Sequence, residues 1–353
     1  MTDILDNLSV IAQKDPSDAL GVAAAQFQQA SYDSAVQNAE HDGRIITAIV
    51  VTGMGGSALA ALLAKTLLQD ELSISFEVSR DYTLPNYVNE NTLVIASSYS
   101  GNTEETVSSL QQAQDRGAQI GVVASGGKLI DIAIENGISY TTIPKGIQPR
   151  MGVIYNLRGL LSLLVNFGAI RASWLDDLAN ISGWLEQESA QWKADNPTEH
   201  NYAKQLALET IGKTPVFYGS PLTASLAYKW KISWNENGKN VAFWNQYPEF
   251  NHNEFLGWYS HPVEKPFAVF DLHSSFDSAR IAQRMELSDK ILSGRRPQAQ
   301  GISLKGDTLL AQLVWGSILA DFASIYVAIL NGIDPTPVEI IERLKLELAN
   351  DPR

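Results

Sequence analysis

Leu93-Val94-Ile95-Ala96-Ser97-Ser98-Tyr99-Ser100-Gly101-Asn102-Thr103-Glu104-Glu105-Thr106 runs from an apolar segment, through hydroxyls and a glycine, into a helical pattern. Four consecutive apolar residues bounded by turn formers read as a strand buried on both faces, as in a parallel sheet. From Glu104 onward the apolar side chains fall at Val107, Leu110 and Ala113, the spacing of one helix face. A strand that ends in hydroxyls and feeds a helix is a place to hold an anion. The unpaired N–H groups of the first turn point outward, and the helix dipole favours negative charge there. Ser98, Ser100 and Thr103 add neutral donors without filling the space an oxyanion needs. Glu104 and Glu105 would repel a phosphate if they faced it. They read instead as first-turn acids that stabilise the helix, with Asn102 or Thr103 as N-cap.

The alternation extends in both directions. Ala48-Ile49-Val50-Val51 leads into Gly53 and a helix over 58–68, and strands follow at 74–78, 120–123 and 140–143. A helix over 153–167 closes the unit, and the first 40 residues are helical in pattern. Strands alternating with helices predict a parallel sheet covered on both faces. The second half repeats the plan. Pro215-Val216-Phe217-Tyr218-Gly219-Ser220 precedes a helix over 222–232, and Phe267-Ala268-Val269-Phe270-Asp271 matches the strand at 93–96. Leu272-His273-Ser274-Ser275 stands where the first half has its hydroxyl turn. A strand over 300–304 and helices over 309–330 and 338–348 complete the chain. The expected organisation is an N-terminal helical segment (1–40) and two related α/β halves (41–172 and 173–353), only the first keeping a phosphate turn.

Composition narrows the function classes. The chain has 353 residues, 45% hydrophobic and 18% charged, as expected of a globular protein of about two domains. Its 26 Lys+Arg against 39 Asp+Glu leave a net charge of −13, which argues against nucleic acid or an anionic membrane as partner. With no cysteine, disulfide frameworks and thiolate chemistry are excluded. The start, Met1-Thr2-Asp3-Ile4-Leu5-Asp6, has no basic segment or long apolar run, so a cytoplasmic location is expected. The longest apolar runs are 159–170, too short to span a bilayer, and 314–330, which carries Asp321.

Several motifs carry chemistry. Gly53-Met54-Gly55-Gly56-Ser57-Ala58 fits the dinucleotide fingerprint, for which Glu77 is the one candidate ribose-binding acid. It fits equally a tight turn needing glycine, or a turn that shares one ligand with residues 98–103 on the neighbouring strand. Trp234-Asn235-Glu236-Asn237-Gly238-Lys239 and Phe250-Asn251-His252-Asn253-Glu254 are polar yet flanked by Trp230, Phe243, Trp244, Phe255 and Trp258. Polar groups in an aromatic frame form a hydrogen-bonded network or a site, and Glu236 with His252 is the candidate acid–base pair. His252, Glu254, His261 and His273 have no recognised metal-ligand spacing, so no metal is expected. Arg150, between the fifth strand and a helix, either reaches the strand ends where ligands of open α/β sheets lie or pairs with a surface carboxylate. Lys345, on the last amphipathic helix, reads by itself as a solvated residue.

Taken in order, Gly-Gly-Ser after a strand, the 98–103 turn, Pro149-Arg150, Asn235-Glu236-Asn237-Gly238-Lys239 and Pro248-Glu249-Phe250-Asn251-His252-Asn253-Glu254 resemble the bifunctional phosphoglucose/phosphomannose isomerases. These form a dimeric branch of the sugar isomerase (SIS) domain proteins. The resemblance covers roughly residues 47–348 and implies two SIS-type subdomains, each a three-layer αβα sandwich. It further implies that Gly56, Ser57, Ser98, Ser100 and Thr103 hold a sugar phosphate. Glu236 would move a proton between carbons 2 and 1 through a cis-enediol, without metal or cofactor, and Arg150 would stabilise the enediolate. His252 would open the sugar ring from the neighbouring subunit of a homodimer, and Lys345 would lie near the ring oxygen. Thr336 is a small residue near the last helix that bears on mannose activity. The expected activity is interconversion of glucose 6-phosphate and mannose 6-phosphate with fructose 6-phosphate. A non-catalytic sugar-phosphate sensor and a nicotinamide enzyme are the competing expectations.

Overall fold

The computed structural model describes residues 2–259 and 266–350. Its first sheet consists of β1 (Ala48–Thr52), β2 (Ser75–Ser79), β3 (Thr92–Ser98), β4 (Gln119–Ala124) and β5 (Ser139–Thr142), all parallel, in the order β2-β1-β3-β4-β5. Strands β1, β3 and β4 are buried at every residue, which explains their unbroken apolar runs. Alternate residues serve opposite layers. Ile49, Val51, Leu93 and Ile95 pack with the helices Gly55–Leu68 and Val153–Asn166. Val50, Val94, Ala96 and Val122 pack with the helices Glu104–Asp115 and Gly127–Glu135.

The second sheet holds β6 (Thr214–Gly219), β7 (Phe243–Gln246), β8 (Phe267–His273) and β9 (Gln300–Ser303), parallel, in the order β7-β6-β8-β9. Phe217, Phe270, Leu272 and Ile302 point into the same core as the inner face of the first sheet, so one apolar interior joins the two halves. The opposite face, Val216, Tyr218 and Val269, packs on Tyr247, Phe250, Trp258 and Met285. Each half is therefore a three-layer αβα sandwich. The helix Leu309–Leu330 is long and apolar enough to cross a membrane, but here nearly all of it lies buried in the protein.

Three local expectations need correction. The N-terminal helices end with the 3-10 turn Gln26–Ser31, and no helix covers 32–47. That stretch instead lies against the sheet, where Gln37 bridges to Tyr140. The helix expected over 222–232 runs Ala224–Glu236. Ser220 N–H donates to Thr223 Oγ1 (2.8 Å), a hydrogen-bonded turn that delays the helix start, and the buried Trp230 and Trp234 carry its apolar stripe further. Strand β7 was not expected, because Phe-Trp-Asn-Gln is short, half polar and only half-buried at a sheet edge.

Candidate active site

In the order β2-β1-β3-β4-β5 the chain reverses direction of travel between β1 and β3, and the crevice outside their C-terminal ends is where ligands of such sheets lie. Two turns meet there. After β1, Gly53 lies so close to the end of β3 that a Cβ would sit 2.6 Å from the Ser97 carbonyl, and one on Gly56 would sit 2.7 Å from the Pro149 carbonyl. Packing therefore requires these glycines, and Glu77, the candidate ribose acid, instead accepts a hydrogen bond from Tyr87 Oη (2.6 Å). After β3, Ser98 Oγ and Thr103 Oγ1 share a hydrogen bond (2.7 Å), and Gly101 and Asn102 donate their N–H groups to Ser98 Oγ and Ser100 Oγ (3.2 Å each). Gly101 adopts φ +71°, and a Cβ there would collide with the Gly126 carbonyl, so no other residue fits without rearrangement.

Both helices that begin at this crevice lack a side-chain cap. Thr103 occupies the N-cap position of the helix Glu104–Asp115 without a capping bond, and so does Met54 before the helix Gly55–Leu68. Thr106 Oγ1, in the first turn, is buried with no hydrogen-bond partner among the described residues. Uncapped first-turn N–H groups and an orphaned hydroxyl are what an anion would satisfy. Asn156 ties the two turns together, its Oδ1 accepting from Ser57 Oγ and Ser97 Oγ (3.3 Å each) while its Nδ2 donates to the Gly152 carbonyl.

Arg150 lies in the 3-10 turn Pro149–Met151, against the Gly56 turn, and is buried. Its Nε donates to Asn237 Oδ1, and its Nη2 to the carbonyls of Pro335 (2.8 Å) and Thr336 (3.1 Å). Nη1 donates to Gln148 Oε1 (3.3 Å) and stands 3.6 Å from Glu236 Oε2. Burial pushes the guanidinium below its ordinary pKa, with Glu236 and then Asp321 opposing. Glu236 ends the helix Ala224–Glu236 and turns its half-buried carboxylate toward Arg150. The aromatic frame noted in the sequence is on the other side: Trp230 and Trp234 stack in the core beside Phe217. Lys239 adopts φ +52° and donates to the carbonyls of Glu236 (2.5 Å), Pro335 (2.9 Å) and Pro337 (2.6 Å). Burial and nearby Arg150 push its pKa down to about 8. A cavity of about 500 Å³ lies here, lined by Asn235, Glu236, Lys239, Pro337 and Val338 among others.

Gly56 thus packs against the Pro149–Arg150 turn, and Arg150 in turn faces Glu236. His252 and Lys345 do not join them within a single chain. His252 ends the turn Glu249–His252, exposed at the edge of the second sheet, and Lys345 is exposed on the helix Glu339–Asn350. Neither side chain makes a hydrogen bond or ion pair among the described residues. No group of three or more His, Asp or Glu converges as a metal site among those residues, and His261 lies outside them. Sequence reasoning missed Asn156, Asn237 and Lys239 as parts of the site. The last two stood in a motif that drew attention to Glu236 alone, whereas Asn156 gave no signal within its apolar helix.

Known proteins resemble this chain over most of its length. Residues 199–348 match the family described as bacterial phospho-glucose isomerase C-terminal SIS domain, and residues 47–133 match the SIS domain. A bifunctional phosphoglucose/phosphomannose isomerase of Caldicellulosiruptor bescii is 39% identical over 312 residues, covering 86% of this chain and 90% of that protein. One of Aquifex aeolicus is 35% identical, covering 85% and 90%. A D-glucosamine-6-phosphate 4-epimerase of Sulfolobus acidocaldarius is 32% identical, covering 86% and 89%. Among solved structures, a glucose-6-phosphate isomerase like protein from Thermus thermophilus shares the fold, with TM-score 0.65 at 20% identity over 96% of this chain and 98% of that one. By its extent and identity of match, the chain belongs to the family of bifunctional phosphoglucose/phosphomannose isomerases.

Proposed function

We propose that this protein interconverts glucose 6-phosphate and mannose 6-phosphate with fructose 6-phosphate by proton transfer through a cis-enediol. The observation that carries the proposal is the Arg150–Glu236 pair, 3.6 Å apart, beside the turn in which Gly56 touches Pro149. The phosphate binds the two uncapped helix N-termini, with Ser57, Ser98, Ser100 and Thr103 as hydroxyl donors. Fixing one end of the open-chain sugar holds its other end against Glu236. The Glu236 carboxylate takes the proton from carbon 2 and returns it to carbon 1, while a proton passes between the two oxygens. Removing the carbon-bound proton loads charge onto the neighbouring oxygen, and Arg150 is the preorganised cation that meets it. Because protein cations supply this stabilisation, turnover survives a chelator.

Ring opening is assigned to His252 of a second copy, with Lys345 near the ring oxygen, so the active unit is a homodimer working in the cytoplasm. His252 is exposed and its side chain has no partner among the described residues, which supports that assignment. So do the exposed apolar residues Leu256 and Tyr259 beside it and Ile340 and Leu344 on the last helix. An assay coupled to product formation from glucose 6-phosphate and mannose 6-phosphate, with and without chelator, tests the proposal. Turnover of both sugars in both conditions is expected. Binding without turnover would favour a sensor, and activity confined to glucosamine 6-phosphate would favour the chemistry named for the Sulfolobus relative.

A further inference from the structure

A fully buried carboxylate sits midway along the helix Leu309–Leu330. Asp321 Oδ1 accepts hydrogen bonds from Lys229 Nζ (2.5 Å), Ser233 Oγ (2.8 Å) and Asn237 Nδ2 (3.3 Å), and its Oδ2 accepts from Gln26 Nε2 (2.9 Å). It is not among the residues that line the cavity beside Glu236. Two of its partners nevertheless end on Arg150. Lys229 Nζ donates a second bond to the Arg150 carbonyl (3.1 Å), fixing the main chain of that turn. Asn237 Oδ1 accepts from Arg150 Nε, fixing the guanidinium.

The orientation of the Asn237 amide is where Asp321 matters. An ionised carboxylate only accepts, so Asp321 demands the NH₂ end of the amide. Ser324 Oγ, the other partner of Asn237 Nδ2 (3.0 Å), spends its own proton on the Asp321 carbonyl, so it too acts as an acceptor. With both neighbours accepting, the amide has one satisfied orientation, and that orientation presents oxygen to Arg150. Asp321 also balances the buried Lys229 ammonium, which would otherwise stand as an unpaired cation next to Arg150.

We infer that Asp321, paired with Lys229, is a positioning residue for the isomerisation. It acts through Asn237 and through the Arg150 main chain to keep Nη1 turned toward Glu236, where the enediolate charge develops. The inference rests on the roles proposed above for Arg150 and Glu236.

Asp321→Leu tests it, since an asparagine would still offer an acceptor oxygen to Asn237, together with the double variant Lys229→Met/Asp321→Leu, which removes both charges at once and leaves none unpaired. The expected result for each is a kcat about tenfold or more below wild type, with KM within about threefold, because misplacement of a charge-stabilising group costs rate more than binding. Melting temperatures should stay above the assay temperature. The deuterium isotope effect with substrate labelled at carbon 2 should rise, since proton transfer becomes slower relative to ring opening and release. A folded variant with kcat within about twofold of wild type would overturn the inference. So would a loss of activity that tracks the unfolded fraction while the isotope effect stays at its wild-type value. If the wild-type protein does not isomerise, or Glu236→Gln retains turnover, the proposed function fails. If Glu236→Gln is inactive while both Asp321 variants run at full rate, the positioning role alone fails.

Discussion

The guanidinium of Arg150 distributes its donors over a side-chain amide, two main-chain carbonyls, Gln148 and the Glu236 carboxylate. A planar fork with five N–H groups can meet all of these at once, and a lysine ammonium with three cannot. Arg150→Lys keeps the charge and loses the placement. It is expected to lower kcat by about 10²–10³, the range seen when one preorganised donor to a developing oxyanion is removed. Steady-state kinetics on glucose 6-phosphate checks this, with KM changing far less than kcat. A variant within a few-fold of wild type would mean that charge alone suffices. The placement could not be foreseen, because Arg150 meets Asn237 and residues 335–336 across 87 and 185 or more residues of chain. Sequence could put Arg150 near the strand ends; it could not say what holds it there.

At the scale of elements, strands β1, β3, β4, β6 and β8 were legible because continuous apolar runs mark strands buried on both faces. Edge strand β7 was not, since a half-exposed strand need not be apolar. Strand β8 also carries a group that its apolar neighbours hide. Asp271 is buried against Arg296 and Tyr247, and burial raises its pKa to about 7, with Arg296 and Tyr247 opposing. The native protein thus holds a proton that the unfolded chain, with a value near 3.8, has released. This stabilising contribution is full below the unfolded value and is lost as pH rises through the folded one. Asp271→Asn fixes the neutral form. Its melting temperature should match wild type near about pH 4 and exceed it at about pH 8, where wild type must ionise a buried carboxyl. Equal pH dependence in the two proteins, measured by thermal melts, would contradict this.

For the whole molecule, the two halves share a plan but differ in the turns that follow their strands. The first carries the serine turn after β3, where Ser98 bonds Thr103. In the second, Gln312 fills the equivalent place after β8 by bonding Ser274 and Ser275, and the closed turn after β6 bonds Ser220 to Thr223. The replacement of the hydroxyl turn by Leu272-His273-Ser274-Ser275 was visible in the sequence, whereas the joining of both sheets in one core was not. Glu236 reaches the crevice because the helix after β6 runs from that closed turn across the shared core. His252, by contrast, stays on the outer edge, which leads to a prediction for the assembly. In a mixed dimer of Glu236→Gln and His252→Ala chains, one of the two shared sites receives both native residues. Verified mixed dimers should recover about half the wild-type turnover, while each parent stays inactive. No recovery would mean that each chain builds its site alone.

The central claim, that Glu236 moves the proton beside a preorganised Arg150, is tested most directly by Glu236→Gln. The change removes the base and keeps the shape. In a coupled assay on glucose 6-phosphate, the account predicts a fall in kcat of about 10²–10⁴. Sugar-phosphate binding should persist, because the turns around Ser57 and Ser98 are untouched. Turnover near the wild-type rate in this variant would contradict the account.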